Sequence, residues 1–95
     1  MLEYHFHPEA AEEYADTYAW YAERSPRIAQ EFEREIERCL RLISEKPESW
    51  PKYDEKHRRF LTRRFPFSII YRLLHDQIMV IAHEKRRPKY WIDRR

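Results

Sequence analysis

A largely apolar run from Ser68 to Ala82, interrupted near its middle by His75 and Asp76, constrains the fold of this chain more than any other feature. Its aliphatic and aromatic residues predict one strand over Phe67 to Leu74 and a second over Gln77 to His83. The dipeptide between them predicts a tight connection. Because the chain contains no glycine, His75 or Asp76 must adopt a positive φ at some energetic cost, unless the turn is a longer type that needs none.

A third strand is predicted just before this pair. Residues 57–64 alternate weakly in polarity, and Phe65-Pro66 follows as a turn or a strand edge. The result is a meander of three antiparallel strands. Alternation separates the residues of the third strand into two sets. One set is Arg59, Leu61 and Arg63, and the other is Arg58, Phe60, Thr62 and Arg64. Whichever face is open should therefore carry two arginines.

A short strand and a first helix are predicted near the beginning of the chain. Residues 2–6 alternate, which predicts a strand with Leu2, Tyr4 and Phe6 pointing inward. A helix should follow from about Pro8 to Arg24, since proline is tolerated at a first helical position. Its predicted inward stripe is Ala11, Tyr14, Ala15, Tyr18, Tyr21 and Ala22.

The second helix has the clearest periodicity in the sequence. Ser25 is its predicted N-cap and Pro26 its first residue, and Lys46-Pro47 should end it. Apolar residues recur in steps of three and four. They are Ile28, Phe32, Ile36, Cys39, Leu40 and Ile43. The short connection predicts an antiparallel helical hairpin.

The order of elements predicts a single α+β domain over residues 1–95, with the arrangement β-α-α-β-β-β. The helical hairpin should pack on one face of a small, twisted, mainly antiparallel sheet, with the first strand at the sheet edge and the other face open. No apolar stretch is long enough to span a bilayer, and Met1 to Tyr4 lacks the layout of a signal peptide. We therefore expect a cytoplasmic protein with no membrane partner.

Charge is distributed unevenly along the chain. Residues 1–51 contain 6 Lys/Arg and 12 Asp/Glu, a formal charge of −6, whereas residues 52–95 contain 13 and 5, a formal charge of +8. A polyanion should therefore dock on the C-terminal half. The apolar run ends at His83 and a basic, aromatic segment that extends to Trp91, which suits a nucleic acid or an acidic protein partner.

Three segments together suggest a family. They are Arg58-Arg59-Phe60-Leu61, Phe65-Pro66-Phe67-Ser68-Ile69-Ile70-Tyr71-Arg72, and His83-Glu84-Lys85-Arg86-Arg87-Pro88. In this order, after a helical hairpin, they resemble the RelE/ParE superfamily of toxins from bacterial type II toxin-antitoxin modules. The resemblance implies a toxin that a cognate antitoxin neutralises. RelE-like members act at the ribosome and cleave mRNA, whereas ParE-like members poison DNA gyrase.

The resemblance to the nuclease members is incomplete at Ser68. Those members tend to carry a catalytic arginine one residue after the aromatic that opens the central strand, and here Ser68 follows Phe67. This substitution removes a phosphate clamp. Arg86 and Tyr90 resemble the C-terminal Arg and Tyr of the nucleases, with a different spacing.

Cleavage of RNA without a metal needs a base, cations for the phosphorane and an acid. The candidate catalytic residues are His83, Arg86 and Tyr90. The candidate residues for nucleic-acid or target binding are Arg59, Arg63, Arg72, Lys85, Arg87, Lys89 and Trp91. Each has a structural alternative: a histidine that closes a strand is often hydrogen-bonded within the fold, and a terminal aromatic pair often anchors the tail.

The sequence predicts no cofactor and no metal site, since His5 and His7 share a face of the first strand without a third ligand. Cys39 is the only cysteine and lies in the apolar stripe of the second helix. If the chain is an enzyme, it is a metal-independent, ribosome-dependent endoribonuclease. The alternatives are a non-catalytic nucleic-acid-binding module that uses the same arginines, or an inactive toxin relative.

Overall fold

The computed structural model describes residues 2–75 and 77–84. The elements in chain order are β1 (Tyr4–Phe6), α1 (Pro8–Arg24), α2 (Pro26–Glu45), β2 (Arg58–Leu61), β3 (Ser68–Leu74) and β4 (Gln77–Glu84). The strands form one sheet in the order β1-β4-β3-β2. β1 pairs parallel with β4, and the other two pairings are antiparallel. The predicted α+β arrangement, with the first strand at a sheet edge, is confirmed.

Ser25 separates the two helices by capping both of them. Its backbone amide donates to the carbonyl oxygen of Tyr21 at the end of α1, at 2.8 Å. Its Oγ accepts the amide of Ile28 in the first turn of α2, at 3.3 Å. Pro26 then occupies a position whose N–H has no helical acceptor. These local contacts confirm the predicted boundary between the helices.

The core lies between the helical hairpin and the sheet, and Phe32 is at its centre. This side chain is fully buried. Its ring centroid lies 5.5 Å from those of Tyr14 and Phe65, 5.4 Å from Tyr21 and 5.7 Å from Phe67. Aromatic contacts at such distances add to the burial of apolar area. Phe32 therefore joins both helices to the segment that leads into β3.

The predicted inward stripe of α1 is partly wrong. Ala11 and Ala15 are exposed, and Ala10 is fully buried instead. The tyrosines of the stripe do pack against the core. Their large side chains determine which face of α1 points toward the core. Two predicted core residues elsewhere are also more exposed than expected: Tyr4 on the edge strand is 42% exposed and Ile28 in the first turn of α2 is 39% exposed.

The strand predicted over residues 57–64 is shorter than expected. β2 ends at Leu61 because the chain turns at Thr62, whose Oγ1 donates to the carbonyl oxygen of Phe65 at 2.7 Å. Arg64 has a φ of 67°, a left-handed conformation that is uncommon outside glycine. Arg63 and Arg64 therefore lie outside the sheet, and the prediction that alternation places two arginines of this strand on its open face is wrong.

In the turn between β3 and β4, His75 has a φ of 49° and so takes a positive-φ position in a chain without glycine. Asp76, the other candidate for such a position, lies outside the described residues. The register between β3 and β4 shifts between Ile70 and Tyr71, which pair with Ala82 and Val80. Ile81 is thus the extra residue of a bulge in β4.

Candidate functional site

The face of the sheet that points away from the helices carries two of the predicted binding arginines. Ile69 and Tyr71 belong to the core cluster on the helix side, so the alternate residues Ile70 and Arg72 point the other way. Arg59 is the β2 partner of Ile70, and it shares this face. We call this surface the distal face. The distal face includes Arg59, Leu61, Ser68, Ile70, Arg72, Leu74, Gln77 and Met79. Ile70 is fully buried on it.

Arg59 and Arg72 are diagonal neighbours on the distal face, because Arg59 pairs with Ile70 and Arg72 lies two residues further along β3. Such diagonal positions are about 7–8 Å apart, within reach of long side chains. The guanidinium of Arg59 lies 5.3 Å from the ring centroid of Tyr53. Stacking of this kind orients a guanidinium and leaves its N–H edge able to bind a carboxylate or a phosphate.

Arg72 is partly buried, and its Nε has no hydrogen-bond acceptor among the residues that the structure describes. It lines a cleft of about 430 Å³ at the side of β3. The lining residues are Glu55, Lys56, Arg58, Arg72, Leu73 and Leu74. An arginine N–H without an acceptor is a costly donor, and this Nε is itself buried from solvent.

Arg63 and Arg64 interact with α2 rather than with the distal face. The backbone amide of Arg63 donates to the carboxylate of Glu35. The guanidinium of Arg64 lies 2.9 Å from Glu31 Oε2. The predicted binding residue Arg63 is therefore separated from Arg59 by the turn that ends β2, and the structure does not bring it together with Arg59 and Arg72.

Ser68 begins β3 on the distal face and is 9% exposed. Its Cα partners are Leu61 on β2 and Glu84 on β4. The preceding Phe65 and Phe67 are buried against Phe32, and these contacts fix where the strand begins. The residues in register at the start of β3 are thus a serine, a leucine and a glutamate, with no cation among them.

The remaining predicted site residues fall at or beyond the end of the described chain. His83 lies in β4, with Ile69 as its Cα partner on β3. The predicted catalytic residues Arg86 and Tyr90 lie outside the described residues. So do four predicted binding residues, which are Lys85, Arg87, Lys89 and Trp91.

Sequence reasoning missed the contribution of Lys56 and Arg58 to the cleft. Lys56 lies in an Asx turn, in which Asp54 Oδ1 accepts the amides of Lys56 and His57, each at 2.8 Å. Arg58 follows this turn directly. Burial alone would raise the pKa of Asp54, but these hydrogen bonds and one from the His57 ring outweigh it and lower the pKa. The spacing Asp54-x-x-His57 is the signal that could have indicated an ordered turn here.

Residues 2–75 and 77–84 contain neither a metal-binding cluster nor an activated thiol. No three His, Cys, Asp or Glu side chains in this part of the chain are grouped so that they could hold a metal ion. Burial raises the pKa of the Cys39 thiol to about 12, which makes it a poor nucleophile. None of the described helices is both long and apolar enough to cross a membrane.

Comparison with known families agrees with this architecture. The model of the family described as "ParE toxin of type II toxin-antitoxin system, parDE" matches residues 4–88. A solved structure described as the chromosomal ParDE TA system from P. aeruginosa superposes with a TM-score of 0.77 and 18% sequence identity, over 92% of this chain and 98% of that one. No curated protein matches significantly.

The fold and the family match define a toxin of the RelE/ParE type, with a helical hairpin on one face of a four-stranded sheet. The chain belongs to the ParE toxin family of type II toxin-antitoxin systems.

Proposed function

We propose that this ParE-family protein arrests bacterial growth by acting on DNA gyrase rather than by cleaving mRNA on the ribosome. In this proposal it acts in the cytoplasm and a cognate antitoxin neutralises it. Membership of the ParE family supports a toxin with an antitoxin partner. The choice between the two targets depends on the chemistry available at the sheet.

The observation that carries the choice is the environment of Ser68. An RNA-cleaving site must place cations next to a phosphorane whose negative charge develops during the reaction. The register partners of Ser68, Leu61 and Glu84, supply none, whereas Arg59 lies diagonal to Ser68 on the same face. The backbone amide of Arg63, just after β2, contacts Glu35 on α2. The described part of the sheet thus favours binding of a target over general acid-base chemistry.

Arg59 and Arg72 are the described residues that we propose contact the target. Both lie on the distal face, and Arg59 is exposed. Two arginines in diagonal positions suit an acidic protein surface or a nucleic-acid backbone. The tail residues Lys85, Arg87, Lys89 and Trp91 extend this predicted contact surface along the sequence.

Inducible expression in a bacterial host tests the proposal. We expect growth arrest with DNA double-strand breaks, restored by co-expression of the neighbouring antitoxin reading frame, and no new mRNA ends at ribosomal A-site codons. Arg59→Gln should weaken the arrest. Arg27→Gln is the matched control, since its side chain is 88% exposed on the first turn of α2.

Separate substitutions of His83 and Tyr90 distinguish a poison from a nuclease. His83→Ala and Tyr90→Phe should leave the arrest largely intact if the protein acts by binding gyrase. Cleavage of mRNA at A-site codons that disappears in either variant would contradict the proposal and assign the nuclease mechanism. Normal growth of cells that accumulate folded protein would contradict the toxin function altogether.

A further inference from the structure

The outer side of β1 is a free strand edge. β1 lies at one end of the sheet, and on its inner side the carbonyl oxygen of Glu3 accepts the amide of Ile78 on β4, at 3.0 Å. Successive residues of a strand direct their backbone groups to opposite sides, so Tyr4 and Phe6 direct theirs outward. These groups have no hydrogen-bond partner among the residues that the structure describes. α1 packs more over β4 than over β1, which leaves the edge open.

The backbone of β1 can pair antiparallel with the β1 of a second copy, and it favours one register. With His5 at the centre, Tyr4 of each copy stands opposite Phe6 of the other, and the two residues exchange both backbone hydrogen bonds. A centre one residue earlier would need Leu2, whose N–H and C=O already bond to α2. A centre one residue later would need an N–H from Pro8, which has none. The register centred on His5 therefore uses every outward group.

The polar side chains of β1 are complementary in this register. His5 pairs with Met79 of β4, so it lies on the distal face together with Glu3 and His7. Glu3 of one copy would stand opposite His7 of the other. His7 Nδ1 accepts the amide of Glu9 at 3.1 Å, so the neutral ring carries its proton on Nε2. This Nε2–H can donate to the Glu3 carboxylate, whose side chain is 82% exposed.

The aromatic side chains of β1 are complementary on the opposite face. Tyr4 is 42% exposed, and its ring lies edge-on to that of Phe6 with the centroids 6.1 Å apart. The Phe6 ring in turn lies 6.2 Å from that of Tyr14 on α1. Phe6 of the second copy would cover the exposed part of Tyr4, and cross-strand aromatic pairs of this kind stabilise a sheet.

We propose that two copies of this chain associate through β1 and join their sheets into one, about a two-fold axis that passes through the His5 pair. The contact is self-complementary, as a two-fold axis requires. It is also short compared with the interfaces of stable complexes, so the dimer should be reversible. This proposal does not depend on the toxin's target.

Sedimentation equilibrium of the full chain, from about 10 μM to about 1 mM, tests the proposal. We expect a monomer–dimer equilibrium. Tyr4→Pro removes an outward N–H from each copy but no hydrogen bond to β4, since proline is tolerated on an edge strand where its nitrogen faces solvent. Tyr4→Ala is the matched control, because it loses the same ring and keeps the N–H. The dissociation constant of Tyr4→Pro should exceed that of Tyr4→Ala about tenfold, since each dimer loses two hydrogen bonds.

A disulfide across the axis locates the contact. The two His5 residues would form a non-hydrogen-bonded pair with Cα atoms about 4.5 Å apart, which a disulfide can span. His5→Cys should therefore give covalent dimers on mild oxidation, whereas Ala15→Cys, exposed on α1, should not. The native Cys39 is fully buried and does not compete. Circular dichroism checks the fold of each variant, and the disulfide carries the test if Tyr4→Pro does not fold.

Three results would overturn the proposal. A chain that stays monomeric up to about 1 mM would leave the edge of β1 to a strand of a different protein. Equal dissociation constants for Tyr4→Pro and Tyr4→Ala would exclude pairing through the backbone. Equal cross-linking of His5→Cys and Ala15→Cys would exclude the register centred on His5.

Discussion

Replacing Phe32 with alanine should be the most damaging single truncation in the helical hairpin. The side chain is fully buried, and among the described residues its ring contacts those of Tyr14, Tyr21, Phe65 and Phe67. Truncating a buried phenylalanine removes transfer free energy and leaves a cavity, at a cost of about 3–5 kcal/mol. Small domains have a total stability of about 5–15 kcal/mol, so Phe32→Ala should leave the protein marginally folded.

Urea unfolding followed by far-ultraviolet circular dichroism measures this loss. Ile28→Ala is the matched control, because Ile28 lies one turn earlier on α2 and is 39% exposed. It should cost less than about 1 kcal/mol, in proportion to the smaller area buried. A double-mutant cycle with Phe65→Ala should give a coupling free energy of about 0.5–1.5 kcal/mol for the contact at 5.5 Å.

Two outcomes would contradict the central position of Phe32 in the core. A loss in Phe32→Ala no larger than that in Ile28→Ala would mean that Phe32 is not the centre of the core. A coupling free energy close to zero would mean that α2 does not hold the segment leading into β3 through these rings.

Three further predictions concern buried polar groups. Hydrogen bonds from Arg38 lower the pKa of Glu35 from 4.5, so the stability it contributes is complete above that value and is lost as pH falls through the lowered pKa. Urea titrations should therefore show that Glu35→Gln is destabilised at about pH 7 and that this loss becomes smaller as the pH falls below 4.5. Glu33→Gln, on the exposed face of α2, should not show this trend, and an equal loss in both variants would contradict the assignment. Cys39, with its pKa raised to about 12 by burial, should react with a thiol reagent only after unfolding, and rapid labelling of the native protein would disprove its burial. Tyr71→Phe removes a hydrogen bond of 2.7 Å to a loop carbonyl and should cost about 1 kcal/mol in urea unfolding; an unchanged midpoint would show that this bond contributes nothing.

The helical hairpin could be predicted from the sequence because its boundaries depend on local chemistry. Pro8 and Pro26 each occupy a first helical position, and Ser25 caps both helices with its own backbone and side chain. The stripe of α1 was predicted less well, since Ala11 and Ala15 are small enough to lie on either face. Large side chains determine which face of a helix packs on the core, because they bury the most apolar area. An alanine side chain buries little area and so has little influence on this choice.

The end of β2 could not be predicted because it depends on contacts between distant parts of the chain. Thr62 closes the turn through Phe65, and Glu35 on α2 holds the amide of Arg63. The same applies to the cleft at the side of β3, which Lys56 and Arg58 line together with Arg72. Alternation within a single strand contains no information about such contacts.

We propose that the chain acts on DNA gyrase by binding and not on mRNA by cleavage. Purified protein added to DNA gyrase and supercoiled plasmid tests it most directly, with accumulation of cleaved DNA–gyrase complexes as the readout. We predict that the protein raises the fraction of linear DNA and that Arg59→Gln reduces this effect, while Arg27→Gln does not. An unchanged cleavage level with folded protein in excess over gyrase, together with A-site cleavage in a purified translation reaction, would contradict the claim.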